Sequence, residues 1–319
     1  MFKIVYDGSK DQVIPKDVFP SVLGQLIDED ERVVYLDADL MSSFGTAGFT
    51  GKYKDRAFDV GVQEANMIGM AAGMSTEGKI PYVHTFGPFA SRRVYDQVFL
   101  SIAYAKNNVR IIGTDPGVTA AYNGGTHMPF EDVALYRAIP DAVIFDIADS
   151  TQFREVLKLT KDFYGLAYIR TPRKSIDKIY SDDSTFEIGK GHVLREGTDV
   201  TIVASGIMVG VALGAAAKLA EEGIEAEVID PVTIKPLDEA LIIASAKKTG
   251  AVVTAENCNV NGGLGDAVAS VLSLNAPTKM SKVAIQDEFG EVGTEDYLRV
   301  RFNLTPEEII KKVKATMAM

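Results

Sequence analysis

The stretch Asp59-Val-Gly-Val-Gln-Glu64-Ala-Asn-Met-Ile-Gly-Met-Ala-Ala-Gly-Met-Ser-Thr76 places one carboxylate, Glu64, in front of a run of uncharged residues. Apolar side chains recur there at helical spacing, which predicts a buried helix that begins near Gln63. Gly69 and Gly73 lower helix stability, so they indicate close approach by another part of the structure. Burial raises the proton affinity of a carboxyl group, which favours a functional Glu64. The alternative is a carboxylate that only complements the helix dipole.

The composition of the whole chain limits its class. It has 319 residues, 46% of them hydrophobic, and this length predicts about two domains. A net charge of -11 argues against nucleic acid or an anionic membrane surface as a partner. The single cysteine, Cys258, fits a reducing compartment, and residues 1–7 lack the apolar segment of a signal peptide. We therefore expect a cytoplasmic protein.

Short apolar runs with strand character alternate with helical segments along the chain. This alternation predicts an α/β fold with two doubly wound, mostly parallel sheets. The polar stretch 174–186 contains Ser181-Asp-Asp-Ser184 and is the best candidate for a linker. We therefore predict one domain at 1–173 and a second at 187–319.

In the first predicted domain, polar and aromatic residues follow the predicted strands. Strands are predicted at 33–36, 56–60, 80–84, 109–113 and 166–169. The segments after them carry, in order, Asp39, Glu64, Phe86 with Phe89, His127 and Arg173. Ligands of parallel sheets bind at the carboxyl ends of the strands, so these residues are predicted to form one site.

Several motifs occur in a fixed order. They are the Glu64 stretch, Val83-His-Thr-Phe86-Gly-Pro-Phe89, Gly124-Gly-Thr126-His127-Met-Pro-Phe-Glu131-Asp132, Gly262-Gly-Leu-Gly265 and Phe289-Gly290. This ordered set resembles the carboxyl-terminal half of a transketolase, and specifically the smaller chain of split transketolases, in which two chains form one enzyme. One segment, Arg92-Arg93-Val-Tyr95-Asp-Gln97, is more similar to the related deoxyxylulose-phosphate synthases.

The resemblance implies a transferase of carbohydrate metabolism, such as the pentose phosphate pathway, that moves a two-carbon ketol unit between phosphosugars. Its cofactor would be thiamine diphosphate, which stabilises carbanions. Glu64 would share a proton with the pyrimidine ring of the cofactor, and Phe86 and Phe89 would hold that ring by offset stacking. Asp39 would line the cofactor site. The alternatives are ordinary core aromatics for the two phenylalanines and a turn residue for Asp39.

The resemblance also implies a set of substrate contacts. His127 would contact a substrate hydroxyl or carbonyl group, and Arg173 would bind a phosphate through its fork of donors. The alternatives are a hydrogen-bonded loop histidine and a surface arginine. The remaining candidates for substrate contacts are Ser43, His84, Arg93 and Asn123.

The chain departs from the family pattern at two positions near these contacts. Asn123 stands where transketolases usually have an aspartate, and Arg92 stands where many have a stacking tyrosine. The identity of the donor and acceptor sugars therefore stays open.

The Gly-Asp-Gly segment with which thiamine enzymes bind diphosphate and metal is absent from the chain. The resemblance therefore implies a partner, an amino-terminal subunit that holds the diphosphate with Mg²⁺ or another divalent metal, in a two plus two heterotetramer. The alternatives are the beta subunit of a 2-oxoacid dehydrogenase, a synthase of the deoxyxylulose type and a non-catalytic regulatory module. Thr126, His127 and Arg173 favour sugar phosphates, and Glu64 argues against a non-catalytic module.

Overall fold

A computed structural model describes residues 2–319, and their strands form two sheets. The strands are β1 (Val33–Asp37), β2 (Ala57–Asp59), β3 (Ile80–Phe86), β4 (Val109–Thr114), β5 (Val143–Asp146), β6 (Leu166–Thr171), β7 (His192–Arg195), β8 (Val200–Ala204), β9 (Ala226–Asp230), β10 (Thr233–Lys235), β11 (Ala251–Asn259) and β12 (Lys279–Ile285). The first sheet has the order β10-β5-β6-β4-β3-β1-β2, and the second has the order β12-β11-β8-β9-β7. Only β10 and β7 run antiparallel to their neighbours in these sheets. The predicted fold class is confirmed.

Helices connect the parallel strands, as the alternating pattern predicts. They are α1 (Pro15–Glu29), α2 (Phe49–Lys52), α3 (Glu64–Thr76), α4 (Gly87–Ala90), α5 (Tyr95–Gln97), α6 (Asp132–Arg137), α7 (Ser150–Asp162), α8 (Met208–Glu221), α9 (Glu239–Thr249), α10 (Leu264–Asn275), α11 (Glu295–Arg301) and α12 (Pro306–Met317). Within residues 2–319, no helix combines the length and the apolar character needed to cross a membrane.

The structure differs from the predicted elements in two places. A continuous helix is predicted at 91–106, but Ser91 has φ -118° and ψ -91°, which interrupts helical geometry. The chain then continues as a 3₁₀ turn (Arg92–Val94), α5 and a π-helical segment (Val98–Tyr104). The second difference is β10, which is too short for an alternation pattern and is stabilised by its antiparallel pairing with β5.

We call residues 2–173 the first domain and 187–319 the second domain, although these boundaries stay a prediction. The segment between them is well packed, because Ile176, Ile179 and Tyr180 are buried. Two isolated bridges, Ile4 with Tyr180 and Lys10 with Asp177, pair this segment with the start of the chain. β10 lies in the second domain but completes the first sheet. The two domains are therefore joined by backbone pairing as well as by side chains.

A buried ion network lies where the domains meet. Arg170, at the end of β6, is fully buried. Its Nε donates to Asp132 Oδ2 at 2.9 Å, and its Nη1 lies 3.0 Å from Asp146 Oδ2. Asp146 also accepts a hydrogen bond from Ser205 Oγ of the second domain at 2.8 Å. Charges taken out of water need such partners, so Arg170 is the group that keeps two buried carboxylates compensated.

Replacing this arginine should destabilise the whole chain. We expect Arg170→Ala to lower the free energy of unfolding by about 3–5 kcal/mol, because Asp132 and Asp146 lose their counterion. The matched control is Lys218→Ala, whose ion pair with Glu307 is also short, at 2.8 Å, but exposed. That control should cost less than about 1 kcal/mol. Urea unfolding of both variants measures the difference, and equal losses would contradict this account.

Candidate functional site

Glu64 is the first residue of α3 and only 4% of its surface is exposed. It follows β2 through a tight turn in which Gly61 has φ +73°, a conformation that favours glycine. The helix N-terminus favours a negative charge at this position. Arg93 Nη1 donates a hydrogen bond to Glu64 Oε1 at 2.7 Å. The buried carboxylate is therefore compensated by a partly exposed arginine.

Three rings lie next to this ion pair. Phe86 ends β3, Phe89 belongs to α4, and His127 comes from the segment after β4. The His127 ring centroid lies 5.2 Å from that of Phe89 and 5.8 Å from that of Phe86, both in edge-on geometry. The guanidinium of Arg93 stacks 3.8 Å from the Phe89 ring centroid. Arg93 thus contacts both the Glu64 carboxylate and the Phe89 ring.

His127 lies in a segment of tight turns, residues 115–128, which we call the histidine loop. His127 Nδ1 and Thr126 Oγ1 form a hydrogen bond of 2.8 Å. Partial burial, followed by the positive charges of Arg93 and Arg92, holds the pKa of His127 below its usual value. A pocket opens on these side chains, so a neutral imidazole and two guanidinium groups face the same space.

Each of the neighbouring arginines has a carboxylate partner. Arg92 Nη1 donates to Glu131 Oε1 at 2.5 Å, and its Nη2 donates to the Thr126 carbonyl oxygen at 2.8 Å. Arg173 donates from Nε to both Asp115 oxygens at 2.9 Å. The Arg173 guanidinium also lies 4.9 Å from the Phe86 ring centroid. Arg173 therefore lies beside Phe86, and part of its donor fork is already hydrogen-bonded to Asp115.

His84, a predicted substrate contact, lies in the core of the first domain. It is fully buried, its Nδ1 lies 2.6 Å from Asp37 Oδ2, and its Nε2 lies 3.1 Å from Thr114 Oγ1. Its ring stacks on Phe44 at 4.8 Å. Within residues 2–319 it has no exposed surface, so the structure does not bring it to the pocket. The strand alternation of β3 turns it toward α1 and its neighbours.

The other predicted residues lie along the carboxyl edge of the first sheet. Asp39 is exposed with φ +61°, and its N–H donates to Asp59 Oδ1 at 3.0 Å. Ser43 Oγ donates to the Leu40 carbonyl oxygen at 2.7 Å. Asn123 is exposed in the histidine loop. The contacts of Asp39 and Ser43 are local, which fits turn residues as well as site residues.

Sequence reasoning did not identify Asp115 and Glu131 as site residues. Asp115 directly follows β4 at the same edge of the sheet as Glu64, so the strand-end rule could have found it. Nothing in the sequence pairs it with Arg173. Among residues 2–319, no group of three or more potential metal ligands is arranged to hold a metal ion.

Two family descriptions match the chain. The transketolase pyrimidine binding domain matches residues 15–178, and the transketolase C-terminal domain matches residues 189–309. Together they cover most of the sequence.

Individual proteins of known family are also similar to this chain over most of its length. The chain is 50% identical over 296 residues to the 6-deoxy-6-sulfo-D-fructose transketolase subunit SqwH of Clostridium sp. (strain MSTE9), covering 93% of this chain and 92% of that protein. It is 34% identical to the 1-deoxy-D-xylulose-5-phosphate synthase of Heliobacterium modesticaldum (strain ATCC 51547 / Ice1), covering 92% of this chain and 46% of that enzyme.

A solved structure described as a split gene transketolase, inactive beta4 tetramer, superimposes with a TM-score of 0.89 at 40% identity. The match covers 97% of this chain and 99% of that one. The chain therefore belongs to the transketolase family, as its pyrimidine-binding and carboxyl-terminal half.

Proposed function

We propose that this chain is the pyrimidine-binding subunit of a two-chain, thiamine diphosphate-dependent transketolase that transfers a two-carbon ketol unit between anionic sugars. One observation carries the proposal: a buried carboxylate, Glu64, lies at a helix N-terminus and accepts a hydrogen bond from Arg93, whose guanidinium lies over Phe89. A reducing compartment suits the single buried Cys258, so we place the enzyme in the cytoplasm.

The residues fit a thiamine pyrimidine ring. The guanidinium of Arg93 covers one face of Phe89 at 3.8 Å from the ring centroid, so a pyrimidine ring would stack on the other face of Phe89 or on Phe86. Glu64 Oε1 accepts a hydrogen bond from that arginine, so we assign Oε2 to the pyrimidine ring nitrogen. Phe86 and Phe89 would fix the ring plane and exclude water from the carboxylate. When bound, thiamine diphosphate supplies the stabilisation of a carbanion.

His127 and the arginines would hold the substrate. A lowered pKa leaves the His127 ring mostly neutral at pH 7, so one nitrogen can donate and the other can accept a hydrogen bond. We assign it to a substrate hydroxyl or carbonyl oxygen. Arg93 and Arg173 would contact the anionic end of the sugar with donors that their carboxylate partners leave available. Ser43 and Asn123 stay predicted substrate contacts, and Asp39 stays a predicted cofactor contact.

The arginine donors favour a substrate that carries a phosphate or a sulfonate group. Arginine forks bind phosphate and sulfonate oxygens by similar hydrogen bonds. The relative at 50% identity has a sulfo-sugar in its name, so a sulfonated sugar joins the phosphosugars of the pentose phosphate pathway as a candidate. A deoxyxylulose-type synthase is the second candidate, because Arg92-Arg93-Val-Tyr95-Asp-Gln97 is similar to that group.

A partner chain would complete the site. The sequence contains no Gly-Asp-Gly segment, so we assign the diphosphate and its divalent metal, Mg²⁺ or another, mainly to an amino-terminal subunit. Val62, beside the buried carboxylate, is 63% exposed, and Leu100 and Tyr104 are exposed as well. We assign these side chains to the surface that the partner would cover. A two plus two assembly fits the tendency of oligomers to close by symmetry.

Glu64→Gln should remove most activity without unfolding the protein. The amide has nearly the same shape but cannot exchange a proton with the pyrimidine nitrogen, so we expect turnover to fall by about 10²–10⁴-fold. The measurement is ketol transfer by the complex reconstituted with its partner, together with thermal melting. Glu77→Gln, at the exposed end of the same helix, is the control and should keep full activity. Activity of Glu64→Gln within a few-fold of the parent would refute the assignment.

Arg93→Gln should raise the pKa of His127. Removing a nearby positive charge makes protonation of the ring easier, so the midpoint should move up toward the ordinary value near 6.5. Nuclear magnetic resonance titration resolves this ring, because the chain has only three histidines and the pKa of His192 is lowered to about 4. Arg154→Gln, in α7, serves as the control. An unchanged or lower midpoint in Arg93→Gln would contradict the electrostatic account.

The subunit by itself should bind thiamine diphosphate weakly and show no ketol transfer. It supplies the pyrimidine side of the site, and the diphosphate side is assigned to the partner. Calorimetric titration with Mg²⁺, with and without the partner, measures the affinity, and native mass gives the assembly. Micromolar binding and full turnover by this chain alone would show that no partner is needed.

A further inference from the structure

The second domain contacts the histidine loop at both of its ends. One contact comes from the end of β11 and reaches the start of the loop at Pro116 and Val118. The other comes from the segment after β12 and reaches Gly124 and Gly125. These contacts involve a domain to which the proposed function gives no part in the reaction.

Asn257 makes the first contact. Its side chain is buried, Oδ1 accepts a hydrogen bond from the Val118 N–H at 3.0 Å, and Nδ2 donates to the Pro116 carbonyl oxygen at 2.9 Å. A Cβ added at Gly117 would lie 2.2 Å from Asn257 Oδ1, and Gly117 has φ +53°. One amide thus satisfies a donor and an acceptor of the loop backbone, and glycine is required between them.

Gly290 makes the second contact. A Cβ on Gly125 would lie 2.2 Å from the Gly290 carbonyl oxygen, so the two backbones touch. Val292 packs beside Gly124 in the same way, since a Cβ there would lie 2.8 Å from its methyl group. Just beyond the loop, the Asn259 N–H donates to the Phe130 carbonyl oxygen at 2.7 Å. At both of its ends, therefore, the backbone of the loop is in direct contact with residues of the second domain.

The loop needs this support because its backbone is strained. Ala121 has φ +48° with ψ -117°, a conformation that residues other than glycine rarely adopt, and Asp115 also has a positive φ, +58°. Such conformations cost energy and persist only where the surroundings impose them. Hydrogen bonds from Gly124 N–H to the Ala121 carbonyl and from His127 N–H to the Gly124 carbonyl carry the constraint along the loop to His127.

We infer that the second domain positions His127 for the reaction, through Asn257 at the start of the histidine loop and Gly290 near its end. Both are positioning residues, because they act on the loop backbone and not on the substrate. The inference rests on the substrate contact proposed for His127. It gives the carboxyl-terminal domain a direct part in the geometry of the site.

The test compares Asn257→Ala with a matched control in the same strand. The alanine removes both hydrogen bonds to the loop, so we expect kcat/KM for the sugar substrate to fall about ten-fold in the reconstituted complex. The affinity for thiamine diphosphate should change less than about two-fold, since Glu64, Phe86 and Phe89 lie on other elements. The control is Thr254→Val, whose buried hydroxyl oxygen has no hydrogen-bond partner among the described residues. It should leave both quantities unchanged.

A second readout reports on the loop without turnover. The pKa of His127 depends on burial, on Arg93 and Arg92, which lower it, and on Asp115, which raises it. A loosened loop should bring the titration midpoint of His127 closer to the ordinary value near 6.5 in Asn257→Ala, with no change in Thr254→Val. This titration is run on the folded subunit, so it remains decisive even if the complex proves to have a different activity.

The outcomes separate cleanly. A shifted His127 midpoint with a reduced kcat/KM and unchanged cofactor affinity supports positioning by the second domain. An unchanged midpoint in a folded Asn257→Ala overturns it, whether or not turnover falls. If Asn257→Ala does not fold, Gly290→Ala decides in the same two assays, because its added Cβ would lie 3.1 Å from Gly125 Cα and push on the other end of the loop.

Discussion

A carboxylate buried at a helix N-terminus is the constraint around which the first domain is arranged. Glu64 has almost no contact with water, so its charge must be balanced by the helix end and by Arg93. Arg93 reaches it from the 3₁₀ turn that follows the break in helical geometry at Ser91, and its guanidinium lies over Phe89. The irregular backbone after β3 therefore carries the residue that compensates the buried carboxylate.

Residues distant in sequence meet around this carboxylate because of the strand order. Parallel strands bring their following segments to one edge, so β2 supplies Glu64, β3 supplies Phe86, and β4 supplies the histidine loop. The sheet places these segments side by side, but it does not hold the loop in its strained conformation. The interdomain core does, since Val118 and Met128 are buried in one cluster with residues of the second domain. The site therefore depends on the contact between the domains as well as on the sheet.

Sequence patterns predict the parts of this arrangement that follow from periodicity and strand order. The two sheets, the helix at Glu64 and the position of Phe86, Phe89 and His127 at one edge follow from those rules. The burial of His84 could not be predicted from alternation, because β3 is covered on both faces and it is the strand order that places it inside the sheet. The pairing of Arg173 with Asp115 could not be predicted from the sequence either. The two residues are 58 positions apart, and no sequence pattern links them. The edge strand β10 has only three residues, which is too short for an alternation of apolar and polar residues to be recognised.

The charges at the pocket bear on the proposed preference for an anionic sugar. Arg92, Arg93 and Arg173 are each paired with a carboxylate: Glu131, Glu64 and Asp115. The pocket is therefore close to neutral, and a substrate anion gains little from net charge. Its selectivity would come from the directions of the remaining guanidinium donors, because a fork of donors can bind two oxygens of one phosphate or sulfonate, whereas a single hydroxyl occupies only part of the fork. Carboxylates that hold these donors in place thus contribute to specificity through geometry, and their removal would loosen the arginines as well as change the charge.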